Sequence, residues 1–272
     1  MTAPRIYGIV ATEAPVAVVI RRGPSDWCHV GRWDLASGAY EPGAWLRGVI
    51  YPQKCDLSPD GRWFVYSAMK VGSDWPAGEI YEAISRFPWL TALAAWNSGI
   101  TYTRGLHFVN DPKDSNAGAP DIGELDPCLR RYGLRWTLPQ QFAVERRHGW
   151  VESADSPPRR EGDWWDERRR AVMEKRQPGG GGLLRVEGRY AAFRAGEPRD
   201  GAPLYWLDQG DEIEILEDVQ WAEWDLGGRL LTATSDGRLR ICSPGDGSRV
   251  TVADLADLEP DPRPPPGWAE EW

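Results

Sequence analysis

The sequence predicts an all-β fold made of successive four-stranded antiparallel meanders. Three observations carry that expectation. Runs in which apolar and polar residues alternate with period two are interrupted by Asp-Gly and Gly-Gly pairs, the residues that accept the positive φ angles of tight hairpins. The 30 Gly and 23 Pro form about a fifth of the 272 residues, against a usual share of about 12%. The 16 Trp and 9 Tyr favour pleated, half-buried surfaces on which a wide ring packs across neighbouring strands. A chain of this length can bury a full core, and one all-β domain of this size is ordinary.

The elements follow in chain order. The run "IYGIVATEAPVAVVIRR" reads as a hairpin. Glu13 and Pro15 interrupt it and its arginines follow the apolar part, which argues against a secretory leader. "CDLSPDGRWFVYSA", residues 55–68, alternates on both sides of Asp60-Gly61 and is a strand, a turn and a strand. "WLTALAAWNSGITYTRGLHFV", residues 89–109, is a weaker copy broken at Asn97-Ser98-Gly99. Its upstream neighbour "YEAISRFPWL" has some helical character, but Pro88 would break a helix and the aromatic content suits a strand. Near the C-terminus, Gly227-Gly228, Asp236-Gly237 and Asp246-Gly247 divide "VQWAEWDLGGRLLTATSDGRLRICSPGDGSRVTVADL" into four short runs, a meander. Residues 110–135 and 153–166 are turn-rich and lack sustained periodicity, as insertions do. Residues 163–170 could form a short helix with the Asp166–Arg170 pair at i,i+4.

First strands near 5–11, 51–57, 89–96, 168–176 and 220–225 give units of about 54 residues, close to the longer four-stranded propeller blades. This spacing predicts a β-propeller, five-bladed or else six-bladed, over residues 1–259, followed by a Pro-rich tail at 260–272. "LSPDGRWFVYSA" (57–68) and "WAEWDLGGRLLTAT" (221–234) resemble the blade signature of TolB-type and WD-like β-propellers, in which a Ser-Pro-Asp-Gly-Arg turn links the innermost strand to the next. The resemblance covers two blades well and a third in part. It implies a propeller fold and says almost nothing about activity.

Charge is uneven. The net charge is −9, yet residues 129–176 hold 12 basic and 8 acidic side chains. A basic insertion on an acidic body reads either as a docking surface for an anionic partner, a nucleic acid or an acidic protein, or as a solvated loop with interspersed charges; the overall acidity argues against a nucleic-acid partner, which needs a dominant positive field. The tail "DLEPDPRPPPGWAEEW" should run as an extended polyproline segment, with Trp268 and Trp272 fastening it to the domain or offered to a partner groove. No run approaches the roughly 20 apolar residues that span a bilayer. The four scattered cysteines, Cys28, Cys55, Cys128 and Cys242, suit a reduced, cytoplasmic setting without membrane association.

Catalytic patterns are sparse. His29, His107 and His148 are isolated, and Cys28 and His29 would point to opposite faces of one strand, so neither a zinc site nor another cofactor is expected. "PGGGGLL" at 178–184 lacks the Gly-Lys-Ser/Thr of a phosphate loop, and "GPSDW" at 23–27 is no nucleophile elbow.

Two functional readings result. The first is a non-catalytic protein-binding or scaffolding propeller, a subunit of a larger bacterial assembly, contacting its partner through Trp164, Trp165, Arg168, Arg169 and Arg170 on the insertion-bearing face. The second is a glycan-binding or glycoside-hydrolysing propeller with an axial acidic pocket formed by Asp56, Trp96, Glu223 and Asp225, whose paired carboxylates would divide acid and base roles. Against it, Asp at the end of a strand also caps turns through bonds to backbone N–H groups.

Overall fold

A computed structural model of the protein describes residues 4–23, 26–70, 72, 76–99, 105–109, 131–137, 141–158, 169–188, 203–243 and 247–272. Their regular secondary structure is almost entirely β-strand. Two compact units divide them, one formed by Met1–Gly8 with Gln140–Leu258, the other by Ile9–Pro139 with Glu259–Trp272. No helix among the described residues is long and apolar enough to cross a membrane.

Strands β1 (Arg5–Val10), β2 (Val16–Arg22), β3 (Trp27–Asp34) and β4 (Tyr40–Arg47) form a four-stranded sheet in sequential order. A second sheet orders β5 (Val49–Ile50), β7 (Trp63–Met69), β8 (Ile80–Arg86) and β9 (Ala94–Asn97), with β6 (Asp56–Leu57) also on β7. Strands β10 (Gly105–Val109) and β11 (Gly133–Thr137) pair antiparallel. In the other unit, a five-stranded meander runs β12 (Val151–Glu152), β13 (Ala171–Arg176), β14 (Leu183–Gly188), β15 (Leu204–Asp208) and β16 (Ile213–Leu216). A four-stranded meander of β17 (Val219–Trp224), β18 (Leu230–Thr234), β19 (Arg238–Cys242) and β20 (Arg249–Asp254) follows it. Small antiparallel sheets in chain order are consistent with a propeller-like fold. No closed sheet occurs among the described residues.

The expected C-terminal meander is present strand for strand, as are the N-terminal hairpin and the Ser-Pro-Asp-Gly unit. Three boundaries differ. Residues 168–176, expected to open a unit, supply β13, the second strand of the sheet that β12 opens. Residues 94–97 are the last strand of the second sheet and do not open a third, which begins at Gly105. Residues 133–135, expected within an insertion, belong to β11 and pair with Phe108, Val109 and His107. These differences have one cause: a short strand's membership depends on which distant strand it meets, and local alternation carries no record of that.

Local chemistry explains the turns. After β6, the Ser58 hydroxyl accepts from the N–H groups of Arg62 (3.1 Å) and Trp63 (2.9 Å) and donates to Asp60 Oδ1 (2.6 Å). Gly61 has φ +70°, and a Cβ there would lie 2.1 Å from Val16 Cγ1, so the turn requires glycine. The same device recurs at Thr234-Ser235-Asp236-Gly237. The Thr234 hydroxyl accepts from Arg238 N–H at 3.1 Å and bonds Asp236, with Gly237 at φ +95°.

Each unit has its own core. In one, Trp63, Val65 and Ile84 of the second sheet pack with Leu106, Phe108 and Leu134 of β10 and β11. In the other, Met173, Leu184, Val186, Tyr205 and Leu207 pack against Val219, Ala222, Trp224 and Leu230. Strands β13 to β15 alternate buried and half-buried residues, the pattern of a sheet with one covered face. Strands β2 and β7 are buried along almost their whole length, so both of their faces are covered.

Candidate functional site

The unit containing residues 140–258 buries Glu145 and Glu223 among its core side chains. Strand β17 buries Glu223 between Ala222 and Trp224. Its Oε2 accepts from Trp150 Nε1 at 2.7 Å. Its Oε1 accepts from Trp224 N–H at 2.7 Å and faces Lys175 Nζ at 3.0 Å. On the short helix α1 (Ala143–Arg147), buried Glu145 accepts from the Tyr7 hydroxyl at 2.9 Å. Burial first, and then the Glu145 carboxylate, push the Tyr7 phenol well above its ordinary pKa; Tyr205 is displaced in the same direction by the same two causes, with Glu223 adding to them. Both phenols therefore stay protonated and serve as hydrogen-bond donors or packing surfaces. A general base needs a lone pair facing substrate, and both oxygens of Glu223 already hold protein donors.

Asp225, at the end of β17, caps a turn. Its Oδ1 accepts from Gly227 N–H (2.9 Å) and Arg229 N–H (2.8 Å), and its Oδ2 pairs with Arg229 Nε at 2.6 Å. In the other unit, Asp56 Oδ2 accepts from Phe108 N–H at 3.0 Å and Oδ1 from its neighbour Leu57 N–H at 3.0 Å. The carboxylate thereby ties β10 to β6. Trp96 is half-buried and meets Trp136 edge-on, ring centroids 6.2 Å apart. It lies opposite Glu82 across the β8–β9 ladder.

Glu82 is the acid that the sequence reading overlooked. It is fully buried, its Oε1 accepts from the Ser98 hydroxyl at 2.6 Å, and Ser67 lies across from it on β7. Burial lowers the pKa of nearby Lys54 to about 8, against the opposing pull of the Glu82 carboxylate. The available signal was a single charged residue inside the otherwise buried strand "IYEAISR", because a buried charge needs a specific partner.

Of the five expected partner-binding residues, Trp164, Trp165 and Arg168 lie outside the described residues. Arg169 is buried. Its Nε donates to Pro157 O at 2.7 Å and its NH2 pairs with Glu152. Arg170 pairs with Glu187. Both guanidiniums tie the chain ahead of β13 to the rest of its sheet.

A cavity of about 70 Å3 opens between the two meanders. Leu207, Leu216, Val219, Trp224 and Leu230 provide its apolar lining; Gln177, Thr232 and the Cys242 thiol provide polar groups. Two ion pairs cross it, Arg240 NH1 to Asp218 Oδ2 at 2.9 Å and Arg249 to Glu214. Glu223 and Asp225 are not part of its wall. Burial raises the Cys242 pKa, partly offset by Arg249, so this thiol is not activated. Among the described residues no three His, Cys, Asp or Glu side chains gather in a way that could hold a metal ion.

No family model matches the chain, and no curated protein matches it. Among solved structures, an uncharacterized protein, lmo1340, from Listeria monocytogenes EGD-e is similar at 12% identity and TM-score 0.30, covering 93% of this chain and 84% of that one. TolB from Acinetobacter baumannii aligns at 11% identity and TM-score 0.23 over 93% of this chain and 44% of its own. An oligogalacturonate lyase in complex with manganese aligns at 13% identity and TM-score 0.24 over 92% of this chain and 65% of its own. The chain thus spans less than half the length of that TolB. Likenesses this distant carry no activity to the present chain.

Proposed function

We propose that the protein is a five-bladed β-propeller that acts as a non-catalytic protein-binding scaffold, a subunit of a bacterial cytoplasmic assembly. Five sheets among the described residues support the blade count. The observation carrying the function is negative for chemistry in a specific way: Asp56, Glu223 and Asp225 each accept from backbone N–H groups, and Glu223 and Asp225 also from side-chain donors. Acids so engaged hold strands and turns together.

The partner is met by Trp164 and Trp165, aromatic anchors of the kind that dominate interface energies. Arg169 and Arg170 pair with Glu152 of β12 and Glu187 of β14. The test compares proteins retained by the tagged wild type and by a Trp164→Ala/Trp165→Ala variant with an unchanged melting temperature. A specific partner lost from the variant is the expected result; a variant that keeps every wild-type partner removes this interface. Turnover of any chromogenic glycoside by wild type, abolished by Glu223→Gln, would replace the scaffold with the glycan-acting alternative.

A further inference from the structure

We infer that strand β16 is a docking edge for a basic extended peptide, added as a further antiparallel or parallel strand to the β12–β16 sheet. The inference rests on the protein-binding reading above and supplies its partner chemistry at a surface separate from Trp164 and Trp165.

The edge is available in its backbone. Among the described residues β16 pairs with β15 alone. Gln209 N–H donates to Glu212 O at 2.9 Å to close the hairpin. In an antiparallel ladder hydrogen-bonded and non-hydrogen-bonded pairs alternate, so the pairs Leu207–Glu214 and Tyr205–Leu216 hold the ladder. The intervening pairs, Asp208–Ile213 and Trp206–Ile215, therefore direct the amide and carbonyl groups of Ile213 and Ile215 away from β15. The next strand can take these groups.

The edge also has an apolar face. Ile213 is 64% exposed and Ile215 51% exposed. Two residues apart, they share one side of the strand, and Ile215 sits beside half-buried Trp206 on β15. Natural sheets ordinarily blunt such edges with lysine, proline or a bulge. Here the segment from Asp208 to Asp218 has no basic residue and no proline, and the charges that guard the short strand are all acidic.

Charge selects the occupant. Six carboxylates fall between Asp208 and Asp218. Glu214 and Asp218 are taken by Arg249 and Arg240. Asp208, Asp211, Glu212 and Glu217 have no ion pair among the described residues, and the last three are exposed. A second copy of the same edge would set these acids against one another, so self-pairing is disfavoured. A strand with apolar side chains at alternate positions and Lys or Arg between them meets both the isoleucines and the carboxylates. The two ion pairs behind the strand hold its inner side in place, so little ordering accompanies binding.

Fluorescence anisotropy on the full chain tests this with two labelled probes of about eight residues, one alternating Val with Lys and one alternating Val with Glu. The Val-Lys probe should bind saturably and more weakly as salt is raised, and the Val-Glu probe should not bind. Ile213→Lys/Ile215→Lys, at exposed positions where folding tolerates the change, should weaken the Val-Lys probe at least about tenfold, and hydrogen exchange at residues 213–216 should slow only in the wild-type complex. Equal binding of both probes, affinity unchanged in the variant, or no saturation below about 1 mM would each overturn the proposal. Because no lysate partner is involved, the outcome is independent of whether Trp164 and Trp165 hold one.

Discussion

At the scale of single residues, the buried ionisable groups set testable limits. His29 is fully buried, its Nδ1 3.1 Å from the Tyr40 hydroxyl and its ring 4.6 Å from that of Trp45. Burial, with the charge of Arg21 adding to it, lowers its pKa from 6.5 to about 4. Between those values the unfolded chain binds a proton that the folded chain does not, so stability rises with pH across that window and is lost as pH falls from 6.5 toward 4. The loss is on the order of 3 kcal/mol, and urea titrations at stepped pH should show it, flattened in His29→Phe. Lys54 behaves alike at the alkaline end: its folded pKa of about 8 lies below the ordinary 10.5, so its neutral folded form adds stability as pH rises from 8 to 10.5. Lys54→Met should remove that slope. Glu223→Ala leaves Trp150 Nε1 and Lys175 without their acceptor and should cost about 1–3 kcal/mol in chemical denaturation. Little of this was legible beforehand. The alternation of β17 placed Glu223 on a covered strand, but its donors, Trp150 and Lys175, come from elsewhere in the chain.

At the scale of elements, turns are the part that local sequence reads best, because donor, acceptor and positive-φ residue sit within five positions of one another. The hydroxyl-x-Asp-Gly device occurs twice, at Ser58 and at Thr234. Ser58→Ala should leave the Trp63 N–H without its acceptor and the Arg62 N–H with Asp60 Oδ1 alone, lowering stability by about 1–3 kcal/mol, whereas Ser58→Thr should retain most of it; thermal melts compare the two. Strand membership was harder to read. β9 and β10 look equivalent as short apolar runs, but one closes a sheet and the other opens one, since pairing with β8 or with β11 is a long-range choice. The edge at β16 was passed over for a related reason: "EIEIL" reads simply as an alternating strand, and only its position last in its sheet exposes Ile213 and Ile215.

At the scale of the whole molecule, each end of the chain belongs with the half that lies farther away in sequence. Ile6 N–H donates to Gln220 Oε1 at 3.1 Å, Gln220 Nε2 donates to Pro4 O at 3.2 Å, and Gly8 lies so close to Trp221 that a Cβ would sit 2.5 Å from its ring. At the other end, Trp272 packs on Trp63 with centroids 6.0 Å apart, and Arg86 Nε donates to Glu271 O at 2.7 Å. Deleting residues 267–272 should therefore uncover the Trp63 ring, lower the melting temperature by several degrees and red-shift tryptophan emission; a truncated chain with unchanged melting would show the tail to be loosely held. The sequence by itself determined an all-β chain of short antiparallel meanders with turns at named Asp-Gly and Gly-Gly pairs. Those features arise from period-two burial and from φ preferences that act within a few residues. Tertiary structure alone decided which strands are edges, which carboxylates are engaged by donors and which halves receive the chain ends. Each of those outcomes depends on contacts between residues far apart in sequence, and neither propensity nor spacing encodes such contacts.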